Sequence, residues 1–171
     1  MGVEVTSKFI DKGALKVFQN LKRLAELVVV VGIVGARASA RHPDSELTVA
    51  TVALFNEFGT SRQPERSFIR SALRENVSEL DRKYQQQVTL VIAGRRSPVE
   101  ALASVGQLGA NLVKRKLDSA SIWAVPLALA TIKAKGSTVP LRDTDAVRDA
   151  IGYAVREGGT RGPTLKEGTA I

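Results

Sequence analysis

Few residues of this sequence have the chemistry that catalysis needs. Its single histidine is His42, in the polar stretch ARHPDSE, and it has no cysteine. A catalytic triad or a histidine metal cluster would have to be built on His42, which lies beside a proline in a turn-rich loop. We interpret His42 as a surface residue. The lack of cysteine excludes thiolate nucleophiles, thiolate metal sites and disulfides.

One group of carboxylates has a spacing that could bind metal ions. Asp143, Asp145 and Asp149 lie close together in the sequence, and two-metal nucleases use such groups. However, Asp143 and Thr144 stand at the start of a predicted helix, where capping and the helix dipole favour acidic and hydroxyl residues. We therefore interpret the group as helix-capping and predict no bound metal and no other cofactor.

Two glycines after an apolar run, Gly32 and Gly35 in GIVGARAS, are a candidate phosphate-binding loop. Their spacing fits neither G-x-G-x-x-G nor a loop that ends in G-K-[ST]. A bulge or a close backbone approach explains them better. Because no nucleophile–base pair and no ligand set is found, we predict that the chain is not an enzyme.

The positive charge is concentrated in the middle third of the chain. The net charge is +8, and residues 61–119 contain eleven basic and six acidic residues. Arg66, Arg70 and Arg74 are spaced by four, so on a helix they would form one stripe. No aromatic residues are interleaved for base stacking, so sequence-specific reading of nucleic acid is not expected. Contact with a DNA backbone stays open.

Hydrophobic periodicity places these residues on helices and on at least two strands. The predicted helices cover residues 11–26, 47–58, 65–93 and 97–117, and the predicted strands cover 28–34 and 152–157. Gly59 is expected to end the second helix, and the sequence SPVE at Ser97 to Glu100 is a capping box for the fourth.

Apolar spacing also identifies the apolar faces of two helices. The second helix has one apolar face, formed by Leu47, Thr51, Leu54 and Phe58. The long third helix, 65–93, has an apolar seam that we expect to face the core. This seam includes Ile69, Leu73, Leu80 and Val88.

These elements predict an α+β fold, a small antiparallel sheet packed by long amphipathic helices, with an extended C-terminal arm. Residues 1–157 would form one domain, and residues 158–171, which hold four glycines and no apolar periodicity, a flexible arm. Two strands alone are marginal, so a further strand is expected from 120–141 or from a neighbouring subunit. The longest apolar run is too short to span a bilayer, so no membrane contact is expected.

Two blocks of the sequence resemble a known family. FNEFGTSRQPERSFIRSAL resembles the pattern hEFGT…iPaRPFlr, and IWAVPLALATIKAKGSTVPLRDTDAVRDAI resembles WaPLspaTlkrKgs..PLiDTGqLr.SI. Both patterns are those of tailed-bacteriophage virion-morphogenesis proteins, the neck or tail-completion proteins of the phage Mu-like and lambdoid groups. The resemblance covers roughly Val28 to Val155. The sequence departs from the family patterns at three positions: it has Asp145 in place of glycine, an extra Val125, and Ser67 in place of proline.

The resemblance implies a non-enzymatic virion protein made in the bacterial cytoplasm. Such proteins form a ring in the neck where the head joins the tail, so we expect a homo-oligomeric ring, with a hexamer as the favoured ring order. Its partners would be the head-side connector or adaptor, the tail tube protein and, non-specifically, packaged DNA. The alternative function is that of an accessory protein that binds the DNA backbone through the basic middle third.

The resemblance also implies which residues matter. The first block would form the subunit interface as a rigid turn between two helices, with Arg62 and Arg66 as polar anchors to a neighbour. The interface residues are Phe58, Gly59, Arg62, Pro64, Arg66, Phe68 and Arg70. The motif residues of the second block are Trp123, Pro126, Leu127, Lys133, Lys135, Pro140, Leu141, Asp143 and Thr144.

Overall fold

The computed structural model describes residues 13–127, 132–133, 141, 145–159 and 164–170. Within these ranges the fold is α+β, with eight helices and a three-stranded antiparallel sheet. The helices are α1 (Ala14–Ala25), α2 (Ala36–Ser39), α3 (Val49–Phe58), α4 (Ile69–Glu75), α5 (Val77–Ile92), α6 (Pro98–Asp118), α7 (Ala120–Trp123) and α8 (Ala146–Asp149). The strands are β1 (Leu27–Ile33), β2 (Ile151–Glu157) and β3 (Thr164–Thr169).

The sheet is built around the two strands that the sequence predicts. The β-branched run of β1 pairs antiparallel with β2, in a register that sets Ile33 opposite Ile151 and Leu27 opposite Glu157. The strand order is β1-β2-β3, so β2 is central, and its residues Ile151 to Val155 are all buried. The prediction of this strand pair is confirmed.

The third strand lies where we expected a flexible arm. Thr164–Thr169 pairs antiparallel with β2, with a register irregularity between Val155 and Arg156. Lys166 and Glu167 are both exposed, and this edge strand pairs with β2 through backbone hydrogen bonds. The prediction of a flexible arm is therefore wrong for these residues, which supply the third strand of the sheet. Residues 128–131 and 134–140, where a further strand was also expected, lie outside the described residues.

Helix α6 packs against the sheet through Gly106 and Gly109. A Cβ atom at Gly106 would lie 2.7 Å from the Tyr153 ring and 2.8 Å from Val29, so only glycine lets the helix come this close. The predicted capping box starts α6, because the Ser97 hydroxyl accepts from the Glu100 amide and the Glu100 carboxylate accepts from Ser97. No helix of the described ranges has both the length and the apolar character needed to cross a bilayer.

The predicted helix over 65–93 is two helices. It begins at Ile69 rather than at Glu65, and it breaks at Asn76, whose φ is −117° and ψ 22°. The Asn76 side chain donates to the Ala72 carbonyl at 2.8 Å, and this bond competes with regular helix geometry. The apolar seam continues across the break. Ile69, Leu73 and Val88 pack against the core, and Leu80 is half-buried.

Helix α3 turns its predicted apolar face outward. Leu54 and Phe58 are 52% and 55% exposed, whereas Val49, Ala53 and Glu57 are buried. The buried side carries small residues, which lets α3 approach the core closely. Helix α1 follows the same pattern, because Leu15 and Phe18 are exposed and Leu24 alone is buried.

Candidate assembly site

A buried carboxylate organises the loop between α3 and α4. Glu57, in the last turn of α3, is only 3% exposed. Its two oxygens accept from the backbone amides of Phe68, Ile69 and Arg70 at 2.8, 2.9 and 2.9 Å, and from the Ser67 hydroxyl at 2.7 Å. These amides lie at the start of α4, where a helix has no internal acceptors for them. Glu57 therefore caps α4 from a different helix.

Burial and hydrogen bonding shift the pKa of the Glu57 carboxyl group in opposite directions. Burial raises the pKa of Glu57, but hydrogen bonds from the Arg70 and Ile69 amides, the Ser67 hydroxyl and the Arg70 guanidinium outweigh it and hold the pKa below its ordinary value. Arg70 donates through Nε to Glu57 at 3.0 Å and through Nη2 to Glu65 at 2.7 Å. Its guanidinium also lies 4.4 Å from the centre of the Phe58 ring. Glu57 is therefore a carboxylate anion at neutral pH.

The loop backbone is fixed at three further points. Gly59 has a φ of 71°, and a Cβ atom there would lie 2.8 Å from the Glu65 amide nitrogen, so the turn requires glycine. Thr60 and Gln63 form an isolated bridge, with the Thr60 amide 2.8 Å from the Gln63 carbonyl. The Asn56 carbonyl accepts from the Arg66 amide at 2.8 Å. The loop is therefore a turn between two helices whose backbone is held at each of these points.

Arg66 is buried and binds within its own chain, so its prediction as an anchor to a neighbour is wrong. It is 5% exposed, and its guanidinium donates to the carbonyls of Val125 at 3.0 Å and Pro126 at 3.5 Å. Burial lowers the pKa of Arg66. The spacing with Arg70 suggested a helical stripe, but Arg66 precedes α4. This arginine joins the two sequence blocks, which are far apart along the chain.

The other predicted interface residues divide into buried and exposed. Phe68 is fully buried in the core, so its prediction as a contact residue is also wrong. Phe58, Arg62 and Pro64 are exposed, and 42% of the Arg70 side chain is exposed. The exposed part of the site is therefore smaller than predicted, and it is formed by the turn itself with the last residue of α3.

The second block is anchored by its tryptophan. The Trp123 indole donates to the Lys116 carbonyl at 2.7 Å, and the Lys116 ammonium lies 5.0 Å from the ring centre. Leu141 packs against the core with a φ of 64°, which is rare for a residue with a side chain. Pro126 and Lys133 are exposed and Leu127 is half-buried. Lys135, Pro140, Asp143 and Thr144 lie outside the described residues.

The residues that could have carried catalysis are placed differently from expected. His42 is 5% exposed, so its interpretation as a surface residue is wrong; its Nδ1 accepts from the Asp44 amide at 3.3 Å within a tight turn. Asp145 precedes α8 but makes no side-chain capping bond, and Asp143 lies outside the described residues. Within the part of the chain that is described, no three histidine or carboxylate side chains converge as a metal site requires.

The residue that sequence reasoning missed is Glu57. One signal was present, because Glu57 follows Val49 and Ala53 at steps of four, on what proves to be the buried side of α3. An acidic residue on such a face needs donors, and the turn supplies them. Comparison with protein-family models, with curated proteins and with solved structures finds no match. The function is therefore argued from the site and from the two blocks that it joins.

Proposed function

We propose that the protein is a structural virion protein of a tailed phage, which forms a homo-oligomeric ring, most simply a hexamer, at the head–tail junction. In this role it is not an enzyme, and it contacts the head-side connector or adaptor and the tail tube. The observation that supports the proposal most directly is a rigid turn next to an exposed apolar helix face.

The exposed face of α3 has the character of a protein interface. Leu54, Phe55 and Phe58 are 52%, 37% and 55% exposed, and they lie within five residues of one another on the last turns of α3. Exposed clusters of large apolar side chains mark interaction surfaces. A cyclic ring needs two different surfaces on each subunit, one for each neighbour. This face, together with Arg62 and Pro64 of the turn, would supply one of them.

Rigidity of the turn favours assembly. Glu57, Gly59 and the Thr60–Gln63 bridge already fix the backbone in the single subunit. Little conformational entropy is then lost when a neighbour binds. Both buried charges of the site, Glu57 and Arg66, bind backbone groups, which is a positioning role rather than a catalytic one.

Complementation of a phage that lacks the protein tests this proposal. We expect Leu54→Ser with Phe58→Ser to leave the subunit folded and to give separated heads and tails in electron micrographs. The matched control is Val77→Ser with Ile92→Ser, which replaces two apolar side chains of α5 that are 54% and 47% exposed. Normal infectious particles from the α3 variant would refute the assignment of this face. Arg66 is left unchanged because its burial would confuse assembly with folding.

The alternative, an accessory protein that binds the DNA backbone, makes a different prediction. Such a protein would bind DNA with an affinity that falls steeply as salt is raised, and it would need no ring. A ring held by apolar contacts would persist at high salt, because screening weakens only its charged contacts. The two functions are separated by whether the protein assembles into a ring that persists over the salt series, since only the virion role requires one.

A further inference from the structure

A polar groove runs along α6, away from the assembly site. Two open depressions of about 730 and 550 Å³ meet at Ser104 and Gln107, which line both. One depression lies between α5 and α6, and the other is closed by the Arg95–Arg96 turn and by Lys166 of β3. From Glu100 to Asn111 the groove follows α6 for about 16 Å, at 1.5 Å per residue.

Positive charge dominates the groove. Five basic side chains and two carboxylates line it, an excess of three positive charges. The basic residues are Arg82, Lys83, Arg95, Arg96 and Lys166, and the acidic residues are Glu79 and Glu100. Basic residues stand at both ends of the groove, so the positive potential extends along its length.

The carboxylates of the groove are already engaged. The Glu100 carboxylate accepts from Ser97 in the capping box of α6, and Glu79 lies 4.0 Å from Arg115. Among the described residues, Lys83, Arg95 and Lys166 make no direct ion pair, although Lys166 helps to lower the pKa of the Glu100 carboxyl group. Arg95 and Lys166 are exposed and Lys83 is half-buried, so these side chains can reach a ligand from outside the chain.

Arg96 of the groove is held in place by the buried side chain of Gln87. The Gln87 side chain is 3% exposed, and its carbonyl oxygen accepts from Arg96 Nη1 at 2.6 Å. A guanidinium has five N–H donors in a fixed plane, so fixing one nitrogen orients the others. Such an orientation suits the oxygens of a phosphate group.

We propose that this groove binds the sugar–phosphate backbone of nucleic acid without reading its sequence. Arginine, lysine, serine and glutamine are the side chains that commonly contact phosphates, and all four line the groove. Tyr153, its aromatic residue, is 6% exposed and cannot stack on a base. Leu108 and Ala103 are the aliphatic lining residues, so the groove has no exposed aromatic side chain to anchor a protein partner.

Binding of fluorescent duplex DNA of random sequence to the full chain tests the groove. We expect the wild-type protein to bind, with an affinity that falls steeply between roughly 50 and 200 mM salt. The variant carries Lys83→Gln, Arg95→Gln and Lys166→Gln. It should bind about tenfold or more weakly at low salt, and the slope of log K against log salt should decrease by roughly 2–3, near 0.9 per lost phosphate contact.

A variant of equal charge controls for net charge alone. Lys16→Gln, Lys22→Gln and Arg74→Gln remove three exposed positive charges that line neither the groove nor the assembly face. Equal losses in both variants, or no binding by the wild-type protein at low salt, would overturn the proposal. So would displacement of DNA by polyglutamate as readily as by unlabelled DNA, which would indicate an acidic protein partner. The test measures DNA binding and not assembly, so failure of the groove proposal and failure of the ring proposal are distinguishable.

Discussion

Glu57 and Arg66 are nine residues apart in the sequence and carry opposite charges, yet each is buried on backbone groups rather than on the other. The Glu57 carboxylate accepts hydrogen bonds from backbone amides at the start of α4. The Arg66 guanidinium donates to the carbonyls of Val125 and Pro126. A buried charge that binds backbone fixes the path of the chain, because each hydrogen bond has one geometry. Both residues therefore determine the shape of the turn, which is why the exposed residues of the site are few.

Replacing Glu57 should destabilise the fold. Glu57→Gln removes the negative charge and turns an N–H₂ group towards the donors of α4, so we expect a loss of about 2–5 kcal/mol in the free energy of unfolding. Glu65→Gln is the control, since Glu65 pairs with the same arginine but is 55% exposed, and its loss should stay below about 1 kcal/mol. Chemical denaturation measures both. Equal losses would mean that Glu57 does not act through burial.

Lowering the pH should remove the contribution that the Glu57 carboxylate makes to the stability of the fold. Its pKa is lower in the folded chain than the unfolded value of about 4.3, so the carboxylate stabilises the fold above that pH and loses this effect as the pH falls through the folded pKa. The difference in unfolding temperature between wild type and Glu57→Gln should thus be largest near neutrality and shrink below about pH 4. Thermal unfolding across this range measures it. A difference that stays constant with pH would contradict the assignment.

The elements predicted correctly are those whose signals are local. The β-branched run of β1 and the capping box of α6 depend on neighbouring residues alone. The strand β3 and the buried Arg66 depend on contacts with distant parts of the chain, so no short pattern contains them. The spacing of Glu57 with Val49 and Ala53 hints at its burial, but its partners at the start of α4 are fixed only by the folded turn. The apolar spacing of α3 predicts the helix but not that this face points outward, because burial of an apolar stripe depends on what packs against it.

Helix α6 lies so close to the sheet that replacing Gly106 by alanine should destabilise the protein. In most helices the same replacement is stabilising. Gly106→Ala should gain up to about 1 kcal/mol in helix propensity. Its methyl group, however, would overlap the Tyr153 ring at 2.7 Å and Val29 at 2.8 Å, and overpacking of this kind costs about 1–3 kcal/mol. We therefore expect a net loss of stability.

The melting temperature of Gly106→Ala measures the balance. Ser104→Ala is a suitable reference, because Ser104 lies on the groove side of the same helix and lines an open depression. It should be neutral or slightly stabilising. A stabilised Gly106→Ala variant would mean that α6 can move away from the sheet.

At the scale of the whole molecule, the assembly face and the groove belong to different elements. The face lies at the end of α3, and the groove lies between α5, α6 and β3. One subunit could therefore contact a neighbour and a phosphate backbone at the same time. This arrangement would suit a protein that surrounds DNA, and it is consistent with both proposals.

Self-association of the purified protein should depend on apolar contacts. We expect sedimentation to detect an oligomer of the 18.3 kDa chain whose size is the same at low and high salt. Leu54→Ser with Phe58→Ser should sediment as a monomer, and the α5 control variant should not. A wild-type protein that stays monomeric at high concentration would mean that any ring needs a partner to form. Dissociation by salt alone would contradict an apolar interface.

The pairing of β1 with β2 has a consequence for how the chain is made. Ile33 and Ile151 are register partners, so β1 leaves the ribosome long before its partner exists. At 5–20 residues per second, the intervening stretch of about 120 residues takes roughly 6–24 s to synthesise. During that interval the run VVVV has no native partner strand, and such segments aggregate or bind chaperones. Translation speed and chaperone supply should therefore govern the yield of folded protein more than its final stability does.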